Sequence, residues 1–211
     1  MGFISRVATT GLLALAVSGS YRFLHNRNST ERVTAAGDTP RPSASVETEY
    51  FAPVENLERI EVGELRAVAS RLRGSRAPLN ISMYAFTDRA IGQLLTEEAD
   101  AGTVIRVYRD GEQYEAEERG AKPYGRGSVT SMFRGHPNIQ LRVKPASRSD
   151  LMHLKCWSDG RVLRDGSANW SQAGLKRQDN EIRFTADPRE VQSFNRNFEE
   201  LWNRPTNIRV Q

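Results

Sequence analysis

Helical spacing and short apolar runs alternate along the middle of this chain, and that alternation limits the folds open to it. Leu57, Ile60, Leu65, Val68 and Leu72 recur at roughly helical intervals, which predicts an amphipathic helix over about 55–73. Leu79 to Phe86 (LNISMYAF) reads as a buried strand bounded by Pro78 and Thr87-Asp88. Thr87 or Asp88 can cap a second helix, carried by Ile91, Leu94 and Leu95 and stopped near Gly102. Val104, Ile105 and Val107 form a second strand that ends at Arg109-Asp110-Gly111. Residues 111–128 are polar, with a Gly-rich patch, and a short helix is expected at Val129 to Phe133. Ile139 to Val143 is a third strand, and Ser158-Asp159-Gly160 is a hairpin signal between Met152–Trp157 and Arg161–Leu163. Ile182 and Phe184 mark a further strand, and Val191, Phe194, Phe198, Leu201 and Trp202 form the apolar stripe of a last helix. The expected class is α/β: a layered domain with a central mixed, largely parallel β-sheet flanked by helices.

The N-terminal part follows other rules. Arg6 precedes an apolar or small-residue stretch, Val7 to Ser20, with Ala16, Ser18 and Ser20 offering cleavage-site residues. The run is about 14 residues, short of the ~20 that span a bilayer. Residues 1–26 therefore read as an export signal peptide or an uncleaved N-terminal membrane anchor. A mitochondrial-type targeting segment and a buried N-terminal helix are the weaker alternatives. The expected location is exported, periplasmic or secreted, or attached to a membrane through this segment. Residues 27–49 are polar and Pro-containing and read as a flexible linker, leaving 50–211 as the folded domain. The chain has 211 residues, a net charge of +4 and a pI of about 9.4, which permits a polyanionic partner without requiring one. Cys156 is the only cysteine, so an internal disulfide and a Cys-based zinc site are both excluded.

The chemistry concentrates at His153-Leu154-Lys155 and Gly166-Ser167-Ala168-Asn169. Three histidines and four lysines occur in the chain, and only His153 has a lysine two residues away. Positions 153 and 155 of a strand share a face, so an imidazole and an ammonium can meet one phosphate. The imidazole can be a nucleophile on phosphorus and the ammonium can stabilise the oxyanion. Gly166, the Ser167 hydroxyl, the Asn169 amide and backbone N–H groups of that turn can approach the same anion. Ser171 can cap a following helix and aim its positive end at the site. Glu181, on the next strand, could hold the imidazole in one tautomer. Arg109, Lys122 and Arg126, with Arg106 and Arg119, are expected at the rim as contacts to a nucleic-acid backbone. No cofactor is implied and no carboxylate or Cys/His cluster has metal-ligand spacing.

Here the chain resembles the phospholipase D superfamily. That family carries His-x-Lys, four residues, Asp, about six residues and Gly-Ser-x-Asn, with a downstream Asn-x-Glu-Asn or similar. This chain has His153, Lys155, Gly166, Ser167, Asn169 and Asn180-Glu181. Tyr84 to Thr87, Arg106 to Asp110 and Phe198 to Trp202 resemble the flanking strands and closing helix, over roughly residues 50–204. The departure is the Asp: the family spacing falls on Gly160, and Asp159 comes one residue early. In the family this Asp supports the site rather than attacking. Asp165 also stands where the family has a small or hydroxyl residue. The resemblance implies a metal-independent phosphodiesterase working through a phosphohistidine. Single-motif members pair two chains, so it further implies a homodimer with one composite site. The substrate expected first is DNA or RNA. A phospholipase D-type lipid hydrolase at a membrane surface, and an inactive nucleic-acid-binding relative, remain as alternatives.

Overall fold

A computed structural model describes residues 47–121 and 127–210. Residues 1–26, read above as a signal peptide or anchor, nearly all of the expected linker, Lys122 and Arg126 lie outside the described residues. The elements are β1 (Glu47–Phe51), α1 (Leu57–Leu72), β2 (Leu79–Met83), α2 (Arg89–Asp100), β3 (Ile105–Arg109), α3 (Gly111–Ala121), a 3-10 turn (Thr130–Phe133), β4 (Ile139–Val143), β5 (Lys155–Ser158), β6 (Leu163–Gly166), α4 (Gln172–Lys176), β7 (Glu181–Thr185), α5 (Pro188–Trp202) and β8 (Ile208–Val210). The eight strands form one sheet in the order β1-β7-β6-β5-β2-β3-β4-β8.

The sheet is mixed, as expected, but its parallel part is confined to β2-β3-β4. The pairings β1–β7, β7–β6, β6–β5, β5–β2 and β4–β8 are antiparallel, so "largely parallel" does not hold. The reason is connection length. Helix crossovers carry the chain between parallel β2, β3 and β4, whereas the tight turn at Asp159-Gly160 forces β5 and β6 antiparallel.

Apolar side chains fill both faces. Ile81 and Met83 of β2, Trp157 of β5 and Ile182 and Phe184 of β7 pack with Leu65, Val68, Ile91 and Leu95 of α1 and α2. On the other face Tyr108 and Leu163 meet Val191, Phe194, Phe198 and Trp202 of α5. Those four recur at helical spacing and are buried, and full burial of each contributes about 1.5–3 kcal/mol. Asp187 caps α5 by accepting the Arg189 N–H, and Pro188 opens its first turn.

Two edges differ from the sequence reading. Glu47–Phe51 pairs with β7, so three residues assigned to the linker belong to the sheet. Ile208–Val210 adds a strand beyond β4. The polar stretch after Asp110 is a helix, α3, whose start is capped by Asp110 accepting the Gln113 N–H at 3.1 Å.

Candidate active site

His153 and Lys155 sit where β5 enters the sheet beside the C-terminal end of β2. Lys155 lies opposite Met83 in the ladder, and His153 precedes the strand, with Leu154 between them accepting the Tyr84 N–H at 2.9 Å. Lys155 is buried and His153 is exposed. The ammonium donates to the His153 carbonyl at 2.7 Å and lies 3.2 and 3.4 Å from the two ring nitrogens. Tyr84 packs on the imidazole with centroids 4.4 Å apart, and the Lys155 ammonium is 5.0 Å from the same phenol ring. No carboxylate pairs with Lys155 among the described residues. A buried cation without an acid partner is a natural place for an anionic group.

The electrostatics suit a nucleophile. Desolvation, followed by the Lys155 charge, holds the His153 imidazole below its ordinary value, with Asp110 partly opposing. Burial also lowers the Lys155 pKa, and Arg164 adds to that. His153 is therefore neutral near neutral pH.

Polar struts behind the site fix these groups. Asp110 is buried, caps α3 with one oxygen and accepts the Met152 N–H at 2.9 Å with the other. Gln113 of α3 donates to the Tyr84 hydroxyl at 3.1 Å. Arg164 is fully buried: Nε donates to Glu61 at 2.9 Å, Nη1 to the Lys155 carbonyl and Nη2 to the Ala168 carbonyl at 3.1 Å. One guanidinium thus ties the lysine strand to the Gly-Ser-Ala-Asn turn. Glu61 completes the brace by accepting the Trp157 indole N–H at 2.5 Å. The residue types alone do not announce Tyr84, Asp110 or Gln113. Glu61 did leave a signal, because it occupies the apolar row Leu57, Leu65, Val68 and Leu72 of α1.

The turn after β6 is built differently from the expectation. Gly166 has φ +135°, and a Cβ there would lie 2.4 Å from the Glu181 carbonyl, so only glycine fits. The Ser167 and Ala168 N–H groups donate to that carbonyl at 3.1 and 3.3 Å, and the Ser167 hydroxyl accepts the Glu181 N–H at 3.0 Å. Those N–H groups are therefore spent on β7 and do not reach an anion. The Asn169 amide oxygen accepts the Ala85 N–H at 3.2 Å, one residue from Tyr84. Ser171 does cap a helix, the short α4, by accepting the Gly174 N–H at 3.0 Å.

Three assigned roles change. Glu181 is exposed and serves the turn through its backbone, with no hydrogen bond to His153 among the described residues. Asp159 lies at the opposite end of β5 from Lys155, where it accepts the Arg161 and Val162 N–H groups at 2.9 and 2.8 Å and pairs with Arg71. It is a turn residue, because the hairpin needs an acceptor there. Arg109 is not on the rim: it is fully buried, donating to the Met83 carbonyl at 2.8 Å and pairing with Glu117 at 2.7 Å. Its position two residues after Val107 turns it into the core face. Arg106 pairs with Glu199, and Arg119 with Glu115. Asp165 is engaged by Arg183 at 2.7 Å. His136 is bonded to Asp100 at 3.0 Å, away from this site.

His153, Lys155, Gly166, Ser167 and Glu181 line one open cleft of about 690 Å³ with Glu47, Glu49, Asp165 and Arg183. Among the described residues no group of three or more His, Cys, Asp or Glu side chains comes together as a metal site.

A family profile described as "Cardiolipin synthase, PLD-like domain" matches residues 68–202. The mitochondrial cardiolipin hydrolase of Chlamydomonas reinhardtii is 26% identical over 125 residues, 59% of this chain and 51% of that protein. The protein of the same name from Danio rerio is 24% identical over 142 residues, 66% of this chain and 58% of that protein. The chain thus spans little more than half the length of these curated relatives. NucT from Helicobacter pylori superposes with a TM-score of 0.61 at 17% identity, covering 79% of this chain and 99% of that one. The phospholipase D family member Nuc from Salmonella typhimurium gives 0.57 at 18% identity, with the same coverage. The likeness to these two is one of fold. With the profile spanning most of the described domain, the chain belongs to the phospholipase D-like family.

Proposed function

We propose that the protein is a metal-independent phosphodiesterase, acting on DNA or RNA through a phosphohistidine in a site shared by two copies of the chain. The observation that carries this reading is the exposed His153 in contact with a buried Lys155 that has no acid partner among the described residues. A phosphodiester entering the cleft places its charge against the ammonium. A ring nitrogen of His153 attacks phosphorus, the P–N bond forms and the P–O bond to the leaving oxygen breaks. The leaving oxygen takes a proton from a second imidazole, which must be in its charged form while the attacking one is neutral. Water then attacks phosphorus, the P–N bond breaks and the second imidazole takes the water proton. His136 is committed to Asp100, so within the described residues the second imidazole has no source but another copy's His153.

A buried Lys155 without an acid partner at the edge of the cleft suits an anionic phosphodiester. A second reading, hydrolysis of a phospholipid headgroup, is favoured by the names of the curated relatives and of the family profile. The deciding assay incubates the full chain with single-stranded DNA, RNA and cardiolipin vesicles, in excess EDTA, beside His153→Ala. The expected result is nucleic-acid cleavage by wild type, undiminished by EDTA and abolished in the variant. Lipid turnover without nucleic-acid cleavage establishes the second reading. Loss of activity on chelation overturns the mechanism, and inactivity on every diester leaves a phosphate-binding relative without turnover.

A further inference from the structure

The two sides of the reacting edge differ in charge. Glu47, Glu49, Asp165 and Glu181 line the cleft on the β6-β7-β1 side, and the Arg183 there is already held by Glu47, Asp165 and Glu190. That wall repels a polyanion. Beyond β2 the sign reverses. Arg142 of β4 is directly opposite Arg209 of β8, a cross-strand placement of like charges that weakens an antiparallel pair. Neither forms an ion pair among the described residues; the nearby Glu199 is taken by Arg106. The Arg142 guanidinium lies over the Trp202 ring at 4.3 Å, and Nη1 donates to the Trp202 carbonyl at 2.5 Å. Trp202 is itself stacked on Phe198 at 5.5 Å. The guanidinium is thus fixed in place with the rest of its donor fork uncommitted. Exposed Arg204 lies near the Tyr108 hydroxyl and Asp150, on the path back toward Asp110. β5, β2, β3, β4 and β8 are consecutive neighbours, so the path from β5 to β8 is about 19 Å.

We propose that Arg142, Arg204 and Arg209 form a phosphate track that holds a nucleic-acid strand as it leaves the catalytic edge on the β4–β8 side. The inference rests on the nuclease reading and adds a direction to it. Fixed guanidinium forks match phosphate oxygens, and the repulsion between Arg142 and Arg209 is relieved when an anion bridges them.

The test compares the full chain with Arg209→Glu, Arg204→Gln and Arg142→Gln on a long oligothymidylate and on a thymidine dinucleotide too short to reach the track. Arg209→Glu is expected to raise Tm, because it pairs with Arg142, and yet to raise the KM for the long substrate about tenfold, with a salt slope shallower by about 0.7 per lost contact. Arg204→Gln raises the long-substrate KM without the gain in Tm, and dinucleotide turnover changes far less in both. Arg142→Gln is judged against its own Tm, since it also loses packing on Trp202. Unchanged KM and salt slope in all three variants overturn the track. So does a loss of binding to cardiolipin vesicles with the oligothymidylate KM unchanged, which would make the surface a lipid contact. If wild type cleaves neither these thymidylates nor the matching uridylates, the nuclease reading has failed and the track fails with it.

Discussion

At the scale of single residues the site works by contrast between neighbours. A positive neighbour disfavours the charged imidazole, and a negative one favours it. Desolvation first, and then the Lys155 charge, should hold His153 below 6.5, its ordinary value, and activity should persist into mildly acidic solution. Lys155→Gln should move that midpoint up, and Asp110→Asn should move it down. NMR titration of the ring protons measures both, and a wild-type midpoint above 6.5 would contradict the arrangement. Burial pushes the Cys156 thiol up to about 11, so it should resist iodoacetamide at neutral pH although it borders the cleft. His153, Lys155 and Gly166 were legible in the sequence because their types and spacing carry the chemistry. The Glu181 role was not, because the turn uses its carbonyl, which any residue would supply. Arg109 misled for a related reason: a charged residue reads as surface until its partner, here Glu117, is known.

Among the elements, those with an apolar rhythm were legible, and those held by polar contacts or by a neighbour's edge were not. α1, α2 and α5 matched their periodicity to within a turn. α3 buries little of its own surface and is fixed by Asp110, Glu117 and Gln113, so no apolar stripe marks it. β1 and β8 are short and largely exposed, and only their partners define them as strands. The brace between α1 and β6 gives a sharp expectation. Glu61→Ala leaves the Arg164 charge buried and unpaired, and should cost about 3–5 kcal/mol in urea unfolding. The double variant Glu61→Leu/Arg164→Met should recover much of that stability while kcat stays low, because the tie between the Lys155 and Ala168 carbonyls is gone. Gly166→Ala, which combines a positive φ with a clash against β7, should lose on the order of 1–3 kcal/mol.

For the whole molecule the central question is whether one chain is a complete catalyst. If two copies share a site, a chain with His153→Ala poisons its partner. Equal co-expression with wild type should then leave about one quarter of the activity rather than one half. A value near one half would mean that each chain works alone. The braced hairpin has one more consequence. Gly160 is exposed, with φ +88° and open space at the Cβ position, and it lies at the far end of β5 from Lys155. The Arg164 fork, not the loop, sets the register of lysine and turn. The hairpin tip is therefore free to change length between homologues, and a fluorophore or short peptide inserted there should ride through turnover as a silent reporter of assembly.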